Sequence, residues 1–263
     1  MTIMMAVVLG LIQGLTEFLP VSSSGHLVLA QSMMTGFSQP GLLFDTMLHL
    51  ATLVAVLIFF RERVKNLMLA FIGIFFQQYR VIYFQNKNFL WGIILASIPT
   101  AIIGLTLDKN ASSLFGSPSV VGYCLILTSI LLVFSDMMKP VGTVTPAKAV
   151  MIGIVQGIAV IPGISRSGST IAAGLFLGIK REEMAEFSFF MSVPAIFGAV
   201  LLQSRHLETL PVDQLAAYGA GMVTAFFSGL LAISFMIYFI KRANLKIFAL
   251  YCLIVGIIAI IWI

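Results

Sequence analysis

One pattern of polar residues occurs twice in a chain otherwise suited to lipid. Gly10 to His26 reads GLIQGLTEFLPVSSSGH and Gly153 to Ser169 reads GIVQGIAVIPGISRSGS. Aligned without a gap at an offset of 143, six of the 17 positions agree: Gly10, Gln13, Gly14, Ser22, Ser24 and Gly25. The chain is 60% hydrophobic and 10% charged, with a mean hydropathy of +1.08, the composition of an integral membrane protein. Serine, glutamate, histidine and arginine gathered at the repeated elements therefore need a reason other than solubility, and a binding site is sought there.

Apolar runs of about 20 residues, enough for a ~30 Å hydrocarbon core, occur at Gly41 to Phe60, Phe89 to Leu107, Ser119 to Asp136, Phe187 to Ser204, Leu215 to Ile240 and Leu245 to Ile263. They are continuous rather than alternating, so six helical spans are expected and not barrel strands. The N-terminus has no basic side chain before its apolar run and no small-residue cleavage site, so it is expected to belong to the mature fold. Cys124 and Cys252 lie inside apolar spans without ligand spacing, which implies buried thiols and neither metal nor disulfide.

The net charge of +5 does not point to nucleic acid, because the basic residues are scattered at helix ends. They report topology instead. If Gly41 to Phe60 runs inward, twelve basic residues are cytoplasmic (Arg61, Arg63, Lys65, Arg80, Lys87, Lys139, Lys148, Lys180, Arg181, Lys241, Arg242 and Lys246) and two, Lys109 and Arg205, lie outside. The one left over is Arg166, inside the second copy of the repeat.

The second copy enters with Ala147 to Ile161, breaks at Pro162-Gly163 and resumes with Ile171 to Ile179, and neither piece is long enough to cross. With Lys148 before it and Lys180-Arg181 after it, the element is expected to be a re-entrant hairpin from the cytoplasmic side. The first copy runs from Ile3 to Leu19, breaks at Pro20 and continues as a short helix to Met34. Three spans separate the two, so the first hairpin enters from the opposite face. The expected fold is an all-α membrane protein of six spans and two re-entrant hairpins, at about 3–34 and 147–179, in an inverted-topology repeat. A single domain covers 1–263, with halves 1–136 and 147–263. The Gly10-x-x-x-Gly14 and Gly153-x-x-x-Gly157 pairs suit close helix packing, one hairpin against the other being one arrangement.

After each break, serine and glycine open a new short helix, whose free amides and positive dipole end favour an anion. Two such ends meeting from opposite sides would focus an anion site. Arg166 at membrane depth costs ~2.5 to 3.5 kcal/mol on the mildest scale. It should persist only with a partner, either a phosphate held in bidentate fashion or a carboxylate such as Glu17. Glu17 lies one turn after Gln13. Beside a phosphate it would need a divalent cation, a proton or a cationic side chain, and Mg²⁺ or Ca²⁺ bridging Glu17 and phosphate oxygens is the expectation. His26 follows Ser23 by three residues, which brings imidazole and hydroxyl to one helix face as in a base-activated nucleophile. Asp45 and His49, four apart, could line the cavity or pair with each other.

QGLTEFLPVSSSGH and PGISRSGST resemble the two signature segments of the bacterial undecaprenyl-diphosphatase family, the bacitracin-resistance phosphatases, and the likeness extends to length, hydropathy profile and the PAIFGA stretch. It implies hydrolysis of a polyprenyl diphosphate to its monophosphate, recycling the lipid carrier of cell-wall synthesis. The setting would be the bacterial cytoplasmic (inner) membrane, with the site opening to the outer, periplasmic face. The family's acidic motif falls on Gln13 and Glu17, its serine and histidine on Ser23 and His26, and its arginine on Arg166. Gln13 is the amide variant of a position that is often a second glutamate, which weighs against a mechanism needing two carboxylates on this helix.

Glu17, Ser23, His26 and Arg166 are thus the expected catalytic residues, with Glu17 as metal ligand. Gln13, Ser22, Ser24, Gly25, Ser165, Ser167, Gly168 and Thr170 are expected to bind substrate. Ser23 activated by His26 is the favoured nucleophile, with direct attack by His26 or by metal-activated water as alternatives. The partners are a polyprenyl diphosphate and membrane lipid, with a homo-oligomer allowed and no nucleic acid. A transporter or flippase of a lipid phosphate is the competing function, since carriers also use opposed hairpins. His26 beside Ser23 would favour the enzyme.

Overall fold

The computed structural model of the chain describes residues 1–39, 42–114, 117–241 and 244–262. Arg242, the span ends Gly41 and Ile263, and the side chains of Lys109 and Lys241 lie outside the described residues. The protein is an all-α membrane protein, and among the described residues the only extended pairing is a bridge between Gly142 and Ile179. In chain order the helices are α1 (Ile3–Glu17), α2 (Ser23–Ser32), α3 (Leu43–Phe59), α4 (Arg61–Ile72), α5 (Arg80–Leu114), α6 (Pro118–Asp136), α7 (Pro146–Ile158), α8 (Arg166–Phe176), α9 (Arg181–Gln203), α10 (Leu215–Lys241) and α11 (Lys246–Trp262).

Among the described residues four stretches, Gln77–Leu107, Pro118–Asp136, Arg181–Glu208 and Val212–Phe239, are long and apolar enough to cross a membrane. The other two expected spans, α3 and α11, are apolar helices of 17 residues each, a rise of about 25 Å. The basic stretch from Arg61 to Asn88, between the first two expected spans, is mostly helical. It contains α4, which turns 83° away from α3, and the first turns of α5.

The four short helices of the repeat share a start signal. Thr2, Ser22, Thr145 and Ser165 each accept a hydrogen bond from the backbone N–H three residues on, at 3.2, 3.3, 3.5 and 3.0 Å, so each helix is capped before its first turn. Phe18 follows α1 at once. It is buried and packs edge-on against Phe189 of α9, centroids 5.5 Å apart, which fixes where the first break lies.

The glycine pairs do not pack hairpin on hairpin. α1 lies along α10, where a Cβ on Gly10 would come 2.2 Å from the Gly221 carbonyl oxygen, and α7 lies along α5, where a Cβ on Gly153 would come 2.2 Å from the Ala96 oxygen. Only glycine permits that approach. Small residues mark a surface that a backbone can reach, but they do not say whose. Each contact joins a helix from one of the expected halves to a helix from the other.

Polar contacts tie the helix ends together at one end of the molecule. Arg63 pairs with Glu186 at 2.6 Å and donates to Asn86 at 2.7 Å, joining α4, α9 and the start of α5. Arg181 donates to the Asp136 carboxylate at 2.9 Å, and that oxygen also accepts from the Leu245 N–H at 3.1 Å, joining α9, α6 and α11. The open end of the second hairpin is fastened here too: Val144 N–H donates to Glu183 at 2.9 Å, and Gly142 N–H to the Gly178 carbonyl at 2.9 Å. The first hairpin opens the other way. Its Gln31 donates to Asp45 in the first turn of α3 at 2.7 Å, whereas the second is anchored near the last turn of α3. The two hairpins therefore point at each other along α3.

Candidate active site

The two breaks meet. Gly163 N–H donates to Ser22 Oγ at 3.1 Å, and Ser167 Oγ donates to the Leu19 carbonyl at 3.0 Å. Thr128 of α6 braces the second tip, donating to the Gly163 carbonyl at 3.1 Å while accepting from Ser165 N–H at 3.0 Å. Ser22 takes φ 67, and no other non-glycine among the described residues has a positive value. Such a conformation persists only where surrounding contacts hold it.

Glu17, the last residue of α1, is the hub. Its side chain is 2% exposed. One carboxylate oxygen pairs with Arg166 at the start of α8, and the other accepts from Gln13 Nε2 at 2.7 Å and from Ser23 Oγ at 2.6 Å. A carboxylate so deep would be costly unpaired, and a guanidinium with two neutral donors compensates it. The Glu17 to Arg166 ion pair, one of the partners open to each residue in the sequence, is the contact seen here. It joins the two copies of the repeat.

The expected contact between His26 and Ser23 is absent. His26 Nδ1 lies 2.8 Å from the Ser22 carbonyl, which can only accept, and Nε2 lies 2.8 Å from the Tyr251 hydroxyl. Both ring nitrogens are occupied, and the Tyr251 ring stacks on the imidazole at 5.5 Å. The physical reason is local. A histidine in the first turn of a helix reaches back to the cap carbonyl, which here accepts from both the His26 backbone N–H at 3.1 Å and its ring, while the Ser23 hydroxyl turns towards Glu17. The Ser23 hydroxyl donates to Glu17 and not to His26.

Several residues expected to bind substrate hold the tips in place. Ser22 and Ser165 cap α2 and α8, Ser167 bonds the first break, and Thr170 Oγ1 points into α9, 2.7 Å from Ser188 Oγ. Gly25 and Gly168 permit the tips to touch: a Cβ on Gly25 would lie 2.9 Å from the Gly163 Cα, and one on Gly168 would lie 3.2 Å from Pro20. Ser24 stays partly open, with Ser22 Oγ at 3.5 Å.

His49, expected either to line the cavity or to pair with Asp45, joins the cluster. It does not pair with Asp45, which bonds Gln31. His49 Nδ1 lies 2.7 Å from Gln13 Nε2, and Nε2 lies 4.0 Å from the Glu17 carboxylate. Tyr251 and Thr128 escaped sequence reasoning, since each reaches the site from a remote span. The assembled groups are a hydroxyl on a carboxylate, a guanidinium and an imidazole around two helix starts, which suits phosphoryl chemistry on an anionic substrate.

A protein-family model described as bacitracin resistance protein BacA matches residues 6–258. The chain is 42% identical over 260 residues to an undecaprenyl-diphosphatase of Syntrophotalea carbinolica, covering 97% of both chains. It is 41% identical over 272 residues to one of Methanosphaera stadtmanae, covering 98% of this chain and 97% of that one. With one of Moorella thermoacetica, identity is 40% over 268 residues, with 100% and 99% covered.

Proposed function

The chain belongs to the bacitracin resistance protein BacA family, and from that membership we propose that it is a membrane phosphatase converting undecaprenyl diphosphate to undecaprenyl phosphate and phosphate. The lipid carrier of cell-wall synthesis would thereby be recycled and resistance to bacitracin conferred. The observation that carries the chemistry is the meeting of Ser23, Glu17 and Arg166 at the junction of the two breaks.

In the proposed reaction the diphosphate enters between the tips and takes the Arg166 guanidinium from Glu17, which frees the carboxylate. Ser23 Oγ attacks the terminal phosphorus as its proton passes to Glu17, 2.6 Å away. The bond from that phosphorus to the bridging oxygen breaks, and undecaprenyl phosphate leaves with the bridging oxygen and its charge. Water then attacks the phosphoserine, phosphate departs, and the serine oxygen regains a proton. Arg166 and the amides of α8 stabilise charge on the phosphoryl oxygens, and a planar bidentate donor is the group suited to do so.

A divalent cation, Mg²⁺ or Ca²⁺, belongs to this reading. Among the described residues no three His, Cys, Asp or Glu side chains gather as a self-sufficient metal cage. Gln13 Oε1, however, is buried without a hydrogen-bond partner beside Glu17. One carboxylate and one amide oxygen suit a cation that takes its remaining ligands from phosphates and water. Glu17 and Gln13 would hold it, and it would neutralise charge on the diphosphate.

The site is proposed to open to the outer, periplasmic face of the cytoplasmic membrane. Supporting this are the opposed hairpins, six spans as counted from sequence, and the excess of basic residues at the end where Arg63 and Arg181 tie the helices. The prenyl tail would leave sideways into lipid. The test is phosphate release from a long-chain prenyl diphosphate by purified protein in detergent with Mg²⁺ or Ca²⁺ added. Release that falls in Arg166→Ala supports the reading, and no release from wild type overturns it.

A further inference from the structure

We propose that His49 is a further catalytic residue, donating a hydrogen bond from Nε2 to a phosphoryl oxygen of the substrate, and that Gln13 is the positioning residue that turns the imidazole to present that proton. The proposal rests on the phosphatase reading above and adds a group to its site.

The argument begins with the Gln13 amide. Its Nε2 lies 2.7 Å from both the Glu17 carboxylate and His49 Nδ1. An amide nitrogen has two protons and no lone pair to offer, so it donates one to each. The reverse orientation would set Gln13 Oε1 against the carboxylate oxygen, acceptor facing acceptor. His49 Nδ1 must therefore accept, which leaves the proton of the neutral ring on Nε2. That Nε2 is 4.0 Å from the Glu17 oxygen, too far for a hydrogen bond, and no other hydrogen bond engages it among those described.

Exposure supplies the second strand. The Glu17 side chain is 2% exposed and Gln13 is fully buried, whereas the side chains of His49 and Arg166 are 28% and 22% exposed. The two partly open groups flank the buried carboxylate, one a guanidinium and the other an uncommitted ring N–H. An anion reaching this point meets a donor on each side. His26 is the opposite case, since its Nδ1 can only donate to the Ser22 carbonyl and its Nε2 is taken by Tyr251. The two site histidines thus hold opposite tautomers, and only that of His49 leaves a proton to offer.

Full-length protein in detergent, labelled with ¹⁵N in its three histidines, tests the positioning directly. The account expects His49 protonated at Nε2 and bare at Nδ1, with His26 the reverse, and expects the His49 preference to weaken in Gln13→Leu. Phosphate release from a long-chain prenyl diphosphate tests the catalytic part. Loss of one transition-state donor lowers kcat by about 100-fold, so His49→Leu should lose about that factor with KM nearly unchanged. His49→Gln, which restores an N–H, should recover at least about tenfold of it. His49 protonated at Nδ1 in the wild type, or unimpaired release by His49→Leu, overturns the proposal while leaving the phosphatase reading intact. Should His49→Leu not fold, the wild-type tautomer and the rate of His49→Gln decide. Absence of release by wild type removes the phosphatase reading instead.

Discussion

The N–H of Gly163 donates to the hydroxyl of Ser22 at 3.1 Å, across 141 residues of sequence, and so joins the breaks of two hairpins that approach from opposite ends of α3. Both residues have positive φ, 67 for Ser22 and 94 for Gly163. A Cβ at Gly163 would also lie 2.6 Å from the Cys124 Cβ and the Val121 carbonyl oxygen. Gly163→Ala is therefore expected to cost about 1–3 kcal/mol and to reduce activity, measured by thermal unfolding in detergent together with phosphate release. An unchanged melting temperature would show that the tips are not clamped as described.

Arg166 and Glu17 neutralise each other in a pocket where Glu17 is almost wholly buried. Removing the guanidinium alone leaves a buried unpaired charge, expected to cost about 3–5 kcal/mol. Arg166→Ala should thus be destabilised, and adding Glu17→Gln should restore most of the stability but none of the activity. Equal activity in the double variant and wild type would contradict the proposed roles. Arg166→Lys should recover stability better than activity, because an ammonium keeps the charge without the fork.

The hairpins were legible because polar residues and proline stand out in an apolar chain, and because capping residues precede each short helix. Partners were not legible. His49 was expected to line the cavity or to pair with Asp45, and nothing local says that its ring turns to Gln13, 36 positions earlier. His26 and Ser23 share a helix face by spacing, yet the cap carbonyl of Ser22 and the carboxylate of Glu17 take their protons. The glycine pairs showed that a backbone would come close, without showing that α10 and α5 would supply it.

Gly10 and Gly153 make the same kind of contact in the two halves, so equivalent substitutions should behave alike. Gly10→Val and Gly153→Val are each expected to lower the melting temperature substantially, since the added Cβ alone meets a backbone carbonyl oxygen 2.2 Å away. A large effect at one site and none at the other would argue against the paired packing of α1 on α10 and α7 on α5.

Chelation of divalent cations should abolish phosphate release, with recovery on adding Mg²⁺ or Ca²⁺. In Gln13→Leu the cation concentration for half-maximal rate should rise, because the buried amide oxygen is lost. Full activity in excess chelator would remove the cation from the account and leave Arg166 and His49 as the groups that neutralise the diphosphate.

The most direct test of the central claim compares wild type, Ser23→Ala and Glu17→Gln for phosphate release from undecaprenyl diphosphate, each variant first shown to be folded in detergent. A nucleophile whose proton passes to a carboxylate 2.6 Å away predicts that both variants lose nearly all activity, and that only the wild type accumulates phosphoserine at position 23 when a reaction is quenched early. Release by Ser23→Ala at the wild-type rate would contradict the account.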